Sequence, residues 1–115
     1  MLPSSNRLKI PTNWSRKDPD IKLKTEFFKI IGKKNAAAKG CKIGFIISGK
    51  VGKATVRNRI RRVLANLFYP KIAEVNPNLE LVLIAYPNIS RATNEEISTS
   101  LNKVLPKLYF KEFSV

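Results

Sequence analysis

Apolar residues fall into five short groups along this chain, separated by breaks rich in proline, glycine or charge. The first 25 residues are polar and carry Pro3, Pro11 and Pro19, so they read as an extended or loosely helical arm. Glu26-Phe27-Phe28-Lys29-Ile30-Ile31 has the apolar density of a short strand, and residues 32–40 read as a basic loop or hairpin connection. A second strand is expected over 41–48, with Cys41, Ile43, Phe45 and Ile47 on one face and Gly44 and Ile46 on the other. Ser48-Gly49-Lys50-Val51-Gly52-Lys53 makes a glycine-containing turn. The spacing then predicts a helix over 54–69, where Val56, Ile60, Val63, Leu64 and Leu67 recur on one stripe. That stripe spans an arc of about 100°, and Pro70 stops the helix. Residues 79–86, LELVLIAY, are nearly all apolar and suit a strand covered on both faces. A last helix over 94–105 starts with Thr93 and Glu96 at capping-box spacing and carries Ile97, Leu101, Val104 and Leu105 on its apolar side. Pro106 closes it, leaving 107–115 as a tail.

Strand, helix and strand over 41–86 make a βαβ unit with two parallel strands, and the first strand pairs beside it. The expected fold is an α/β (α+β) two-layer sandwich, formed as a single domain over 1–115. No stretch approaches the roughly 20 apolar residues of a membrane span. The first ten residues contain no apolar signal core. A cytoplasmic location with no membrane partner is therefore expected. The chain has no histidine and a single cysteine, Cys41, which excludes an intrachain disulfide, the usual Cys/His zinc sites, and histidine-based acid–base or triad chemistry.

Charge changes the picture most. There are 22 Lys and Arg against 8 Asp and Glu, a net +14. Such an excess costs self-repulsion in a compact state and implies an anionic partner. Its distribution is uneven: residues 27–73 hold twelve basic side chains and no acid. On the expected helix Asn58 and Arg62 project nearly opposite the apolar arc. Arg57 and Arg61 flank one edge, with Lys53 below them, and Arg59 lies toward the other. Arginine dominates, and its planar fork matches phosphate oxygens and stacks on bases, while Asn58 can donate to and accept from base edges or ribose hydroxyls. Lys50, Lys53 and Arg57 sit at or before the helix N-terminus, where the dipole favours anions over cations. A merely solvated helix would mix signs in i, i+4 pairs, and this one has no acid to pair with.

Lys50-Val-Gly-Lys-Ala-Thr-Val-Arg-Asn-Arg-Ile-Arg-Arg resembles the Arg-Asn-Arg signature of the bacterial ribonuclease P protein family. The resemblance extends to the opening Asn6-Arg7-Leu8, the strand Ile43-Gly44-Phe45-Ile46-Ile47-Ser48, the late strand ending in Ala85, and the helix start at Thr93–Glu96. It implies a mixed sheet of about four strands with about three helices and an unusual left-handed central crossover. It further implies a signature helix that contacts a catalytic RNA subunit. A cleft between the sheet and an N-terminal helix would hold the 5′ leader of precursor tRNA. Cleavage would be carried out by RNA with magnesium, leaving the protein no catalytic residue, no cofactor or metal of its own, and no obligate protein partner.

On that resemblance Lys50, Lys53, Arg57, Asn58, Arg59, Arg61 and Arg62 are the candidate RNA contacts, with Ser48 and Gly52 shaping the turn and Arg7 opening the N-terminal segment. The sequence departs from the family in two places. The usual Lys-Lys after the serine is Gly49-Lys50, and the N-terminal helix with two phenylalanines is replaced by a proline-bounded stretch in which Trp14 is the only aromatic. Trp14, Phe28, Lys29 and Ile31 are the candidate leader contacts. For Trp14 packing is the other reading, and for Phe27 and Phe28 one ring is expected inward and one toward the cleft. Three further classes remain to be weighed. Another RNA-binding module such as a ribosomal protein fits the charge but not the motif. A membrane-active helix conflicts with the buried strand over 79–86, and a protein nuclease lacks the clustered acids needed to hold two metals.

Overall fold

Alternation of lysine with branched apolar residues begins earlier than expected. In the computed structural model, which describes residues 20–34, 41–75 and 79–108, strand β1 is Ile21–Lys24 and β2 is Phe28–Lys34. They pair as an antiparallel hairpin, so the last residues of the predicted arm belong to the sheet. Thr25 closes the turn: its Oγ1 accepts from the N–H groups of Phe27 and Phe28, both at 3.2 Å, and its own N–H donates to the Phe28 carbonyl at 2.8 Å. Asp20 secures the other end, donating its N–H to the Gly32 carbonyl at 2.9 Å and accepting the Lys34 N–H on its carboxylate at 2.7 Å. Pro19 and two lysines disguise this strand, although IKLK has strand period.

The remaining elements are β3, Lys42–Ile46; α1, Ala54–Phe68; β4, Leu79–Ala85; and α2, Asn94–Val104. The sheet order is β1-β2-β4-β3. β4 runs antiparallel to β2 and parallel to β3, so the expected βαβ unit forms around α1. Two α-helices stand among the described residues, and an N-terminal third would fall on residues outside them. Pro70 does not end the chain's helical course abruptly. It sits at the start of a 3-10 turn, Tyr69–Glu74, where its missing N–H is tolerated. A similar turn, Leu105–Leu108, follows α2 and buries Leu105 and Leu108, so the expected tail does not include its first two residues, Lys107 and Leu108.

Both helices pack on one face of the sheet. Leu79, Leu81, Leu83 and Ala85 of β4 point to that side and meet Phe28, Ile30, Ile43, Ile60, Leu64, Ile97 and Leu101 in one core. Gly32 permits this closeness, since a Cβ there would lie 2.9 Å from Leu81 Cδ2 and 3.3 Å from Ile21 Cβ. Val82, with Ile31 and Ile84, forms a smaller cluster on the opposite face. The expectation that β4 is covered on both sides holds at Val82 and is only partial at Glu80 and Ile84.

Candidate nucleic-acid interface

The turn before α1 aims its lysines outward. The Val51 N–H donates to the Ser48 carbonyl at 3.0 Å and Val51 is buried, which leaves Lys50 and Lys53 exposed on either side. Gly52 lies where the chain crosses the first turn of the helix. Its φ is +157°, and a Cβ would sit 3.1 Å from both Val56 Cβ and Val56 Cγ1. Lys53 is the residue preceding α1 in extended conformation, offers no side-chain cap, and no acid occupies the first turn. The first N–H groups of α1 therefore keep their pull on anions.

The face that α1 turns to the core is the expected one, widened by two residues. Ile60 and Leu64 are buried, Val56, Val63 and Leu67 are half-buried against the same core, and Ala65 and Phe68 are buried as well. Projected at about 100° per residue, Ala65 and Phe68 extend the apolar side toward Arg57 and Arg61. Phe68 accounts for the widening: it is fully buried and meets Phe45 of β3 edge-to-face, with ring centroids 6.4 Å apart. Arg57 consequently lies over the edge of the core. It is half-buried, and its Nε is enclosed without a hydrogen-bond partner. Its stem covers apolar surface while its fork reaches outward, as long cationic side chains do at such edges.

The other predicted residues divide clearly. Asn58, Arg61 and Arg62 are exposed on the outward side of α1. Arg59 is exposed too, but its Nη2 donates to the Ser90 carbonyl at 3.4 Å, tying α1 to the 3-10 turn Pro87–Arg91. That turn brings Arg91, also exposed, next to the basic helix, a residue no motif singled out. No carboxylate pairs with the α1 guanidinium groups among the described residues.

A second basic surface lies on the sheet face away from the helices. The register places Lys22 opposite Ile31, Lys24 opposite Lys29, Lys29 opposite Ile84, and both Lys33 and Lys42 opposite Glu80. Directly paired residues share a face, so five lysines and one glutamate surround the Ile31, Val82 and Ile84 cluster. Of the predicted candidates, Lys29 lies on this face half-buried, whereas Ile31 is corrected: it is on this face but buried in the small cluster with Val82. Lys22, Lys24, Lys33 and Lys42 were not predicted, and strand alternation in IKLK was the signal that could have found two of them. Phe28 is corrected: it is fully buried in the helix-side core, because its neighbour Lys29 takes the other face. Phe27 is buried as well, so neither ring reaches the second surface. Trp14 and Arg7 lie outside the described residues.

Other chemistry is sparse. Burial pushes the Cys41 thiol from 9.0 up to about 12. Among the described residues no three His, Cys, Asp or Glu side chains gather where they could hold a metal, and no helix is long and apolar enough to cross a membrane.

Comparison with known proteins adds an independent view. The sequence profile of the family described as Ribonuclease P matches residues 2–109. A "Ribonuclease P protein component" of Mycobacterium sp. (strain KMS) is 32% identical over 73 residues, which is 60% of this chain and 62% of the relative. One from Geobacillus sp. (strain WCH70) is 38% identical over 66 residues, 57% of each chain. The chain thus aligns with roughly three fifths of these relatives' length. Among solved structures, the Staphylococcus aureus RNase P protein superposes with a TM-score of 0.80 at 23% identity, covering 90% of this chain and 97% of that one. The Thermotoga maritima RNase P protein gives 0.74 at 22%, covering 88% and 96%. At that identity the likeness speaks for the fold.

Proposed function

Since this chain belongs to the ribonuclease P protein family, we propose that it is the protein subunit of a ribonuclease P and binds the RNA subunit through the outward side of α1. The observation that carries this reading is the segregation on that helix: Asn58, Arg61 and Arg62 face solvent, Arg57 and Arg59 border them, and Ile60 and Leu64 are buried behind. Guanidinium forks fixed on a rigid helix can take bidentate phosphate contacts without a large ordering cost. Lys50 and Lys53 add charge beside the uncapped N–H groups of the first turn, which suits a phosphate docked end-on.

The lysine-rich sheet face is the proposed seat of the 5′ leader of precursor tRNA. Its lysines lie along adjacent strands, so an extended single strand could run across them with an apolar contact at the half-buried Ile84. Trp14 remains a proposed stacking residue for this leader and Arg7 a proposed contact. Cleavage is assigned to the RNA partner, with magnesium held by RNA phosphates. In this reading the protein's role is to hold substrate and relieve phosphate repulsion. A cytoplasmic site of action belongs to the same reading.

Reconstitution tests it. A bacterial ribonuclease P RNA at low magnesium should cleave precursor tRNA far faster with this protein than without it. An equal rate in both arms would discard the assignment.

A further inference from the structure

Beyond the guanidinium groups, the outward side of α1 carries one more feature. Tyr69, the residue that follows α1 and continues its helical backbone, is 48% exposed. Single exposed aromatics are ordinary on protein surfaces; what sets Tyr69 apart is where it stands. It lies seven residues beyond Arg62, two helical turns and so about 10 Å along the axis, on nearly the same meridian. Side chains on a helix lean toward its N-terminus, so the ring leans back over the turn that holds Arg62 and Ala65. Its backbone is fixed: the Tyr69 N–H donates to the Ala65 carbonyl, Pro70 follows, and Lys71 Nζ donates to Asn102 of α2.

The surroundings decide what such a ring would meet. A protein partner needs a contiguous apolar patch, yet the other large exposed apolar side chain among the described residues, Ile46, is on a different element, the sheet. The surface leading to Tyr69 is instead cationic, with Asn58, Arg61 and Arg62 exposed along it and no acid in the sequence between Phe27 and Ala73. Charge complementarity selects a polyanion, and among polyanions an RNA also brings aromatic rings. A base cannot stack on a side chain while it is paired and stacked within a helix.

We propose that Tyr69 is a base-stacking residue: an unpaired nucleobase of the RNA seated along Asn58, Arg61 and Arg62 packs against its ring. This rests on the RNA-binding reading above and adds a second kind of contact to it. The arginines grip phosphates, a salt-sensitive interaction, while the ring grips a base, an interaction that salt scarcely touches.

Salt titration separates the two. Affinity of the full chain for a bacterial ribonuclease P RNA transcript is measured at several KCl concentrations for wild type, Tyr69→Ala, Tyr69→Leu, Tyr69→Phe and Arg62→Ala, each checked for folding by circular dichroism. Stacking on a base typically contributes a factor of roughly 5 to 100 in affinity. Tyr69→Ala and Tyr69→Leu should lose that factor with an unchanged salt slope, and Tyr69→Phe should bind like wild type. Arg62→Ala should flatten the slope by ~1 unit. Tyr69→Ala binding within about twofold of wild type overturns the proposal. So does Tyr69→Leu binding like wild type, which would leave only apolar bulk, or Tyr69→Phe as weak as Tyr69→Ala, which would assign the effect to the hydroxyl. If wild type itself fails to bind, the RNA-binding reading falls first and takes this one with it.

Discussion

Arg57 stands where the apolar side of α1 meets the outward side, and its two neighbours one turn on, Arg61 and Arg62, do not. Its half-buried stem and enclosed Nε mean that removing it takes away packing as well as charge. Arg61→Ala with Arg62→Ala should therefore lower RNA affinity while leaving the unfolding free energy from urea denaturation within about 0.5 kcal/mol of wild type, as surface changes usually do. Arg57→Ala should lower affinity and also reduce stability measurably. Equal midpoints for the three would show that Arg57 packs against nothing. Cys41 gives a test of a different kind. Burial raises its thiol to about 12 from 9.0, and unfolding releases it to the ordinary value. Between those two limits the unfolded chain sheds a proton that the fold retains, so the group lowers stability as pH rises through the window and contributes nothing below it. Cys41→Ala should remove that part of the alkaline loss, read from urea midpoints across the range. At neutral pH the native thiol should resist a thiol reagent until the chain is unfolded, and rapid labelling of folded protein would contradict its burial.

At the scale of elements, α1 depends on how it begins. Gly52 passes so close to Val56 that any side chain there must push the helix away or strain the turn. Gly52→Ala should cost about 1–3 kcal/mol in urea denaturation, and it should weaken RNA binding further by displacing Lys50 and Lys53 relative to Arg57; an unchanged midpoint would mean the turn adapts freely. The same helix marks how far sequence can be read. Its start, its approximate end and its basic character follow from period and composition, and the capping box of α2 forms as its spacing suggests, with Thr93 and Glu96 exchanging hydrogen bonds of 3.1 and 2.9 Å. The apolar stripe it turns to the core follows too, but its extension to Ala65 and Phe68 does not. That is set by Phe68 finding Phe45 on β3, a contact between residues more than twenty positions apart that periodicity cannot register. For the same reason β1 escaped notice: IKLK is too short to identify as a strand until β2 lies beside it, and Asp20 and Thr25 only become hairpin clamps once the two are paired. Phe28 was misassigned because two adjacent aromatics in a strand ordinarily alternate. Here Phe27 belongs to the turn, where it accepts the Tyr86 N–H on its carbonyl, and both rings end up buried.

Taken whole, the molecule carries +14 charges within extents of 38 × 30 × 25 Å. The screening length is about 10 Å at 0.1 M salt and grows to about 30 Å at 0.01 M. At low salt each charge therefore feels most of the others, and folding works against that repulsion. Two consequences of salt should then run in opposite directions. Raising KCl from 0.05 to 0.5 M should raise the melting temperature of the free protein, because screening relieves self-repulsion. Over the same range RNA affinity should fall steeply, since each phosphate neutralised contributes ~0.9 to the slope of log K against log salt on a duplex and ~0.7 on a single strand. With roughly five contacts the total slope is about −4. Sulfate should stabilise the free protein more than chloride at equal ionic strength, because a divalent anion can bridge neighbouring guanidinium groups. Thermal melts and binding isotherms on one preparation read both effects. A melting temperature that falls with KCl would mean the basic surfaces already hold compensating partners within the fold, and a flat binding response would mean the arginines of α1 do not engage phosphate.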